Sequence, residues 1–264
     1  MRLTTSNAAY RSEPVPAMRN AKFDDMSGVN LFHAGRSNCS ARVRLLLSEK
    51  AIAWNSWVIN LRNHENRSPE YFAINPKGLV PSLIHEGWVI TESNDILEYI
   101  EHRFPERGFR PGTAAERTAM SHWMRLSAEL HLPGVKTFNY SQRRFDAARR
   151  SADEMDRYRM LQSDPELLRF HEKASSDGFS ALERASAEQL LTTALRAMDE
   201  VLTKQPWLAG DQYSLADICW APTIPTVMRG GLDLSPFPRV RAWHQKIVGR
   251  DAYRESVTNW EEVF

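Results

Sequence analysis

Two rhythms of apolar residues run along the chain. VNLFHAG (Val29 to Gly35) is a short apolar run closed by glycine, the pattern of a buried strand. Behind it, Val43, Leu45, Leu46, Leu47 and Ile52 supply the apolar face of a helix. Ala53 to Leu61 returns to strand composition. A polar stretch follows, RNHENRSPEYFAINPKG, with turn signals at Ser68-Pro69 and Asn75-Pro76. LVPSLI and WVIT, separated by Gly87, read as two short strands joined by a tight turn. Ile96, Leu97 and Ile100 then recur at helical spacing until Pro105 stops them. The expected order is β-α-β-(loop or helix)-β-β-α over residues 28–105.

The next segment, Arg103 to Thr118, is rich in Pro, Gly and charge and reads as a boundary, with 106–114 as the linker. From 115 to 264 the pattern is helical almost throughout. Met120, Trp123, Met124 and Leu130 mark one helix, and Leu190, Leu191, Leu195, Met198 and Leu202 mark another. Between them, residues 141 to 177 are highly charged, either an exposed helix pair or an excursion. Ser214 and Asp217 stand at the spacing of a capping box before the apolar ICWAPTI. PFPRVRAWHQKIV supplies the last amphipathic helix. Residues 1–27 lack periodicity and are set aside as a disordered tail or extension, with Met26 as an alternative start.

Composition narrows the possibilities. Charged residues make up 25% and the net charge is +1, so no electrostatic case exists for nucleic acid or an acidic membrane surface. No apolar run reaches the length of a membrane span. Two cysteines, Cys39 and Cys219, cannot form a disulfide framework, and a reducing, cytoplasmic setting fits them. The histidines show no metal-ligand spacing, so no metal is expected.

Three short stretches carry candidate chemistry. In GRSNCSARVR, small polar residues and a thiol stand where a helix begins. Ser37, Asn38, Cys39 and Ser40 either cap that helix or serve an anion there. In NPKGLVPSLI, Val80-Pro81 opens a strand. X-Pro bonds are those in which the cis form is cheap, so a cis bond and an ordinary turn are both open. In TESNDILEYI, Glu92 and Ser93 stand at a helix start. Ser93 either caps that helix or, with the free N–H groups, holds a carboxylate, while Glu92 answers an ammonium group.

Together RSNCSARVR, NPKGLVPSLI, TESNDILEYIEHRFP and WLAGDQYSLADICWAPTI resemble the cytosolic glutathione transferase superfamily. The N-terminal motif is similar to the serine-type zeta class. The charged insertion, ending in Asp177-Gly178-Phe179, and Glu92 to Glu106 are similar to bacterial glutathione-dependent β-etherases. The resemblance implies a thioredoxin-like α/β N-terminal domain and an all-helical C-terminal domain. It also implies glutathione as co-substrate and a homodimer, with a heterodimer possible. By the same resemblance, Ser37, or Asn38 in its place, faces the glutathione thiolate. Val80, before Pro81, pairs with the cysteinyl backbone; Glu92 and Ser93 hold the γ-glutamyl end; Lys77 reaches a carboxylate. Cys39 is either a packed thiol beside the site or a redox nucleophile, as in omega-like members. Trp123, Phe138 and Tyr140 either stack on a flat aromatic substrate or fill the core.

Magnitudes support the thiolate reading. Lowering a thiol pKa by about two units takes roughly 2.7 kcal/mol. One hydroxyl hydrogen bond to a charged acceptor supplies about 1.5–3 kcal/mol, and a helix start adds about 0.3–1. The implied reactions are attack on an aromatic electrophile, with β-aryl ether cleavage leading, or isomerisation of a maleyl-type double bond. A binding module without turnover is the third possibility.

Overall fold

The structure, a computed structural model, describes residues 18–141 and 151–260. The first half builds a sheet in the order β1-β5-β4-β2-β3. Its strands are β1 (Met18–Arg19), β2 (Val29–His33), β3 (Trp54–Val58), β4 (Ser82–His85) and β5 (Trp88–Ile90). Strands β2 and β3 run parallel, Val29 opposite Trp54 and His33 opposite Val58. The right-handed crossover such a pair requires is filled by helix α1 (Asn38–Glu49). Strand β4 returns antiparallel to β2, Leu31 opposite Leu83, and β5 follows as a hairpin. Every residue of β2 is buried, which explains its mostly apolar composition. Of its two buried polar residues, Asn30 and His33, Asn30 is satisfied on both sides. It donates to the carbonyls of Ser27 and Gly28 and accepts from Asn55 and Trp57.

Residues 18–27, grouped above with the tail, are partly structured. Met18 and Arg19 pair with Val89 and Trp88, and Phe23 is buried. Two residues of strand carry no detectable period, so the pattern could not reveal them. Residues 1–17 lie outside the described residues.

After α2 (Pro69–Phe72) and α3 (Ser93–Arg103), the chain becomes helical: α4 (Ala114–Glu129), α5 (Thr137–Tyr140), α6 (Ala152–Leu161) and α7 (Pro165–Ser175). These are followed by α8 (Ala181–Val201), α9 (Leu215–Trp220), α10 (Thr223–Arg229), α11 (Pro238–Val248) and α12 (Asp251–Ser256). A thioredoxin-like layer thus leads into an all-helical part. One apolar core runs through both, from Leu31, Leu45 and Leu97 to Trp123, Trp220 and Trp243. Each such large side chain contributes about 1.5–3 kcal/mol by leaving water. Among the described residues no helix is long and apolar enough to cross a membrane.

Two polar devices hold the parts together. The buried Lys50–Glu101 ion pair (2.8 Å) joins α1 to α3, and Lys50 also donates to the carbonyls of Phe104, Glu106 and Arg107. Asp217 sits at the centre of the helical part. Its carboxylate accepts from the N–H and hydroxyl of Ser214, the N–H of Leu208 and the indole of Trp243, at 2.8–2.9 Å. Burial pushes this carboxyl up, and the four donors pull the other way. The expected capping box is therefore also a hub between α9 and α11.

The charged excursion is a helix pair where it is described. Helices α6 and α7 fold back onto the loop before β4. Met155 and Tyr158 pack on Phe72, Glu154 pairs with His64 (3.2 Å), and Gln162 donates to the carbonyl of Lys77 (2.9 Å). Residues 142–150 of that excursion lie outside the described residues.

Candidate active site

The site is built on the turn between β2 and α1. Arg44, on the buried side of α1, donates to the carbonyls of Ala34, Gly35 and Ser256 at 2.8–3.0 Å. It also donates to His33 Nδ1 (3.1 Å), which leaves the ring proton on Nε2, facing Ser56 Oγ at 2.8 Å. Burial, and then Arg44, push His33 down to about 3, so it stays neutral. This network fixes the turn that delivers Ser37 to the start of α1.

Ser37 is the N-cap: its hydroxyl oxygen accepts from Ser40 N–H (3.2 Å), and its proton remains to donate. No acidic residue stands in the first turn of α1. Asn38 is buried, and its amide donates to Thr223 Oγ1 (3.3 Å) across to α10.

The Lys77–Leu79 turn is held by side chains at every carbonyl. Gln162 donates to Lys77, Asn66 to Gly78, and both Tyr71 and Asn75 to Leu79, at 2.7–2.9 Å. The Val80-Pro81 bond that follows is cis, the form left open by the sequence. Among the described residues, no hydrogen bond engages the backbone of Val80. Helix α3 begins at Ser93, so the cap is Glu92, not Ser93. Glu92 has φ 63°, a left-handed value unusual outside glycine, and makes no side-chain cap bond. Its Oε1 instead receives Lys77 Nζ (2.7 Å), while Oε2 has no partner among the described residues. That hydrogen bond, outweighing burial, raises the Lys77 ammonium above its usual range.

Cys39 is partly exposed, and its sulfur lies 3.6 Å from His131 Nε2 and 3.8 Å from Nδ1. Burial alone would raise this thiol. His131 and Arg42, with hydrogen bonds from His131 and Ser93, instead bring it down to about 6. Arg42 is buried (2% exposed), not the solvated residue its charge suggests. It donates to Asn94, Ser127 and Cys219 at 3.1–3.3 Å. His131 was missed by sequence reasoning. It stands 92 residues from Cys39, in a π-helical turn (His131–Lys136) after α4, and only the His-Leu-Pro-Gly break in the helical pattern marks that place.

Two of the three aromatic candidates are corrected. Trp123 is buried edge-on against Trp220, whose indole donates to its carbonyl (2.8 Å). Phe138 is fully buried under Arg184. Apolar spacing on a helix does not distinguish core from pocket. Tyr140 is partly exposed and packs on Phe170 of α7 (5.1 Å).

Residues 36–103 match the family model for the glutathione S-transferase N-terminal domain, and residues 165–251 match that for the C-terminal domain. The chain belongs to the glutathione S-transferase family. Family membership assigns glutathione as its co-substrate. Protein LigF of Sphingobium sp. is 27% identical over 238 residues, covering 86% of this chain and 92% of LigF. Maleylacetoacetate isomerase of Rattus norvegicus is also 27% identical, over 228 residues, 86% of this chain and 90% of the isomerase. The crystal structure of β-etherase LigF superposes with a TM-score of 0.79 over 87% of this transferase and 98% of LigF. A zeta-class maleyl pyruvate isomerase, at 21% identity, shares the fold with a TM-score of 0.68 over 88% and 98% of the two chains.

Proposed function

We propose that this transferase activates glutathione at the start of α1 and adds it to an aromatic electrophile, with β-aryl ether cleavage as the leading reaction. The likeness to LigF along nearly its whole length carries this reading. Ser37 donates its hydroxyl proton to the glutathione thiolate while its oxygen still caps Ser40. Asn38 is committed to Thr223, so Ser37 is the preferred donor. The unengaged backbone of Val80 pairs with the cysteinyl unit. Glu92, through Oε2, takes the ammonium, and Ser93 takes the γ-glutamyl carboxylate at the start of α3. Lys77 acts through Glu92 and orients it.

In ether cleavage the thiolate attacks the carbon that bears the aryloxy group. The C–O bond breaks, a phenolate leaves, and a thioether to glutathione forms. No general base is required once the thiol is ionised. Tyr140, beside the α6–α7 insertion, is the remaining aromatic candidate for the acceptor. A cytoplasmic homodimer belongs to the same reading.

The maleylacetoacetate isomerase likeness, at the same identity, supports a second reading: glutathione-assisted isomerisation. One experiment separates them. Glutathione is titrated calorimetrically, and the same protein is given an aromatic β-ether, a maleyl-type substrate and a generic electrophile. Binding with release of phenol supports the etherase. Turnover of the maleyl substrate alone replaces it with the isomerase, and binding without turnover leaves a carrier.

A further inference from the structure

We propose that the C-terminal segment, α12 and the 3₁₀ turn after it (Thr258–Trp260), is a positioning element of the glutathione site. Ser256 and Trp260 set the guanidinium of Arg44, and Arg44 sets the hydroxyl of Ser37. The proposal rests on Ser37 as the thiolate donor, the reading given above.

Ser37 belongs to a closed ring of hydrogen bonds that begins and ends at Ala34. The N–H of Ser37 donates to the Ala34 carbonyl (3.3 Å), and the N–H of Ala34 donates to Ser40 Oγ (3.2 Å). The N–H of Ser40 donates to Ser37 Oγ (3.2 Å). These bonds orient the serine at both its backbone and its side chain. All are longer than the commonest N–H···O distance, so the ring is loose by itself. Arg44, two turns on along α1, anchors it from outside. Its guanidinium donates to the same Ala34 carbonyl (3.0 Å) and to that of Gly35 (2.8 Å).

The C-terminal segment fixes Arg44 in turn. The Ser256 carbonyl accepts from Arg44 Nε (2.8 Å), and the Trp260 ring centre lies 5.0 Å from the guanidinium carbon. Trp260 also meets the His33 ring edge-on (4.7 Å), and His33 Nδ1 accepts from Arg44. Arg44 is buried, and among the described residues no carboxylate pairs with it. A buried cation without a counter-ion is costly, and an aromatic face offsets part of that cost. Trp260 thus stands where an acidic partner would otherwise be required.

Two further ties lace the segment to α1 without touching Arg44. Arg250 pairs with Glu49 through two guanidinium nitrogens (2.5 and 2.7 Å), and Ser48 donates to Glu255 (2.8 Å). They separate simple docking of the segment from its action on Ser37.

The consequence for the chemistry is specific. When Arg44 slackens, the Ala34 carbonyl loses its outside anchor, the ring widens, and the Ser37 hydroxyl drifts from the sulfur. The tripeptide keeps its contacts at Val80, Glu92 and Ser93. Binding therefore persists while the thiolate loses its donor, a loss felt in turnover.

The test follows the thiolate of bound glutathione by its ultraviolet absorbance against pH, in the full-length protein, with calorimetric binding alongside. In Trp260→Ala the midpoint is expected to rise by about one unit, and kcat/KM for thioether formation at neutral pH to fall about tenfold. At about pH 5, where the bound thiol is protonated, affinity for glutathione should stay within about twofold. Trp260→Leu, which keeps apolar packing and removes the aromatic face, should behave alike and is read in parallel in case the alanine variant does not fold. Trp260→Phe should restore most of the midpoint, because a phenyl face still meets the cation. Ser48→Ala cuts a tie that does not reach Arg44 and should leave the midpoint in place. Ser37→Ala is the reference, with a larger rise. A rise in Ser37→Ala with none in the Trp260 variants overturns the inference and leaves Ser37 as donor. No rise in Ser37→Ala overturns that donor, and the inference with it. A rise in Ser48→Ala equal to that in Trp260→Ala overturns the route through Arg44.

Discussion

Helices α4, α6, α8 and α9 begin one way, and α1 and α3 another. In the first group a Ser or Thr cap is followed three residues on by an acid whose carboxylate folds back onto it. The pairs are Thr113 with Glu116, Ser151 with Glu154, Ser180 with Glu183, and Ser214 with Asp217. Each of these helices carries its own anion at its positive end. Helix α1 has only Ser37 and Ser40, with no acid in its first turn. Helix α3 has Asp95 there, but its cap, Glu92, turns to Lys77. Of these six helices, the two without a folded-back carboxylate are those that frame the candidate site; α5, α10 and α11 also begin without one, so an open start is permissive for a ligand and does not by itself mark a site.

Four experiments would break or sharpen that contrast. The largest effect is expected at the most enclosed closed start. Asp217→Ala strands four donors and should lower stability by at least about 3 kcal/mol, read as a shift in urea midpoint. A loss under 1 kcal/mol would remove the hub assigned to this carboxylate. At the open start, Ser37→Ala should lower kcat/KM for thioether formation about 100-fold while calorimetric glutathione binding persists. Unchanged turnover would transfer the thiolate's support elsewhere.

Glu92→Gln should weaken glutathione binding about tenfold. It should change stability by no more than about 0.5 kcal/mol, because the Lys77 pair it breaks is half exposed. A large stability loss with unaltered binding would make Glu92 a structural cap. The smallest effect concerns the exposed closed start of α8. The hydrogen bond from Lys173, then those from Ser180, hold Glu183 down to about 2. A depressed carboxylate adds stability above its unfolded value of 4.5 and loses it as pH falls through about 2. Glu183→Gln should therefore cost at most about 1 kcal/mol at neutral pH, and the difference from wild type should vanish in acid denaturation below pH 2.

Much of the architecture was legible because its signals are local. The buried run of β2, the hairpin around Gly87, the strand opened by Val80-Pro81 and the Ser214–Asp217 box all lie within a few residues of their causes. What escaped depends on distance or on facing. The two-residue β1 has no period to detect. Trp123 and Phe138 share the spacing of any aromatic on a helix, and only packing against Trp220 and Arg184 places them in the core. Arg42 carries a charge on a helix, where solvation is the usual outcome; its burial follows from the domain contact that brings Asn94, Ser127 and Cys219 around it. His131 meets Cys39 only after the chain has crossed from one part of the molecule to the other.

The hydrogen bond from Gln162 to the carbonyl of Lys77 joins the α6–α7 insertion to the turn just before Val80. Under the proposed function, this makes the kinetic constants for the two substrates interdependent. An insertion exchanged for that of another family member would alter the Michaelis constant for glutathione together with acceptor preference. Directed evolution of acceptor range in this scaffold would then have to select on both substrates at once, or keep Gln162 fixed while its neighbours vary.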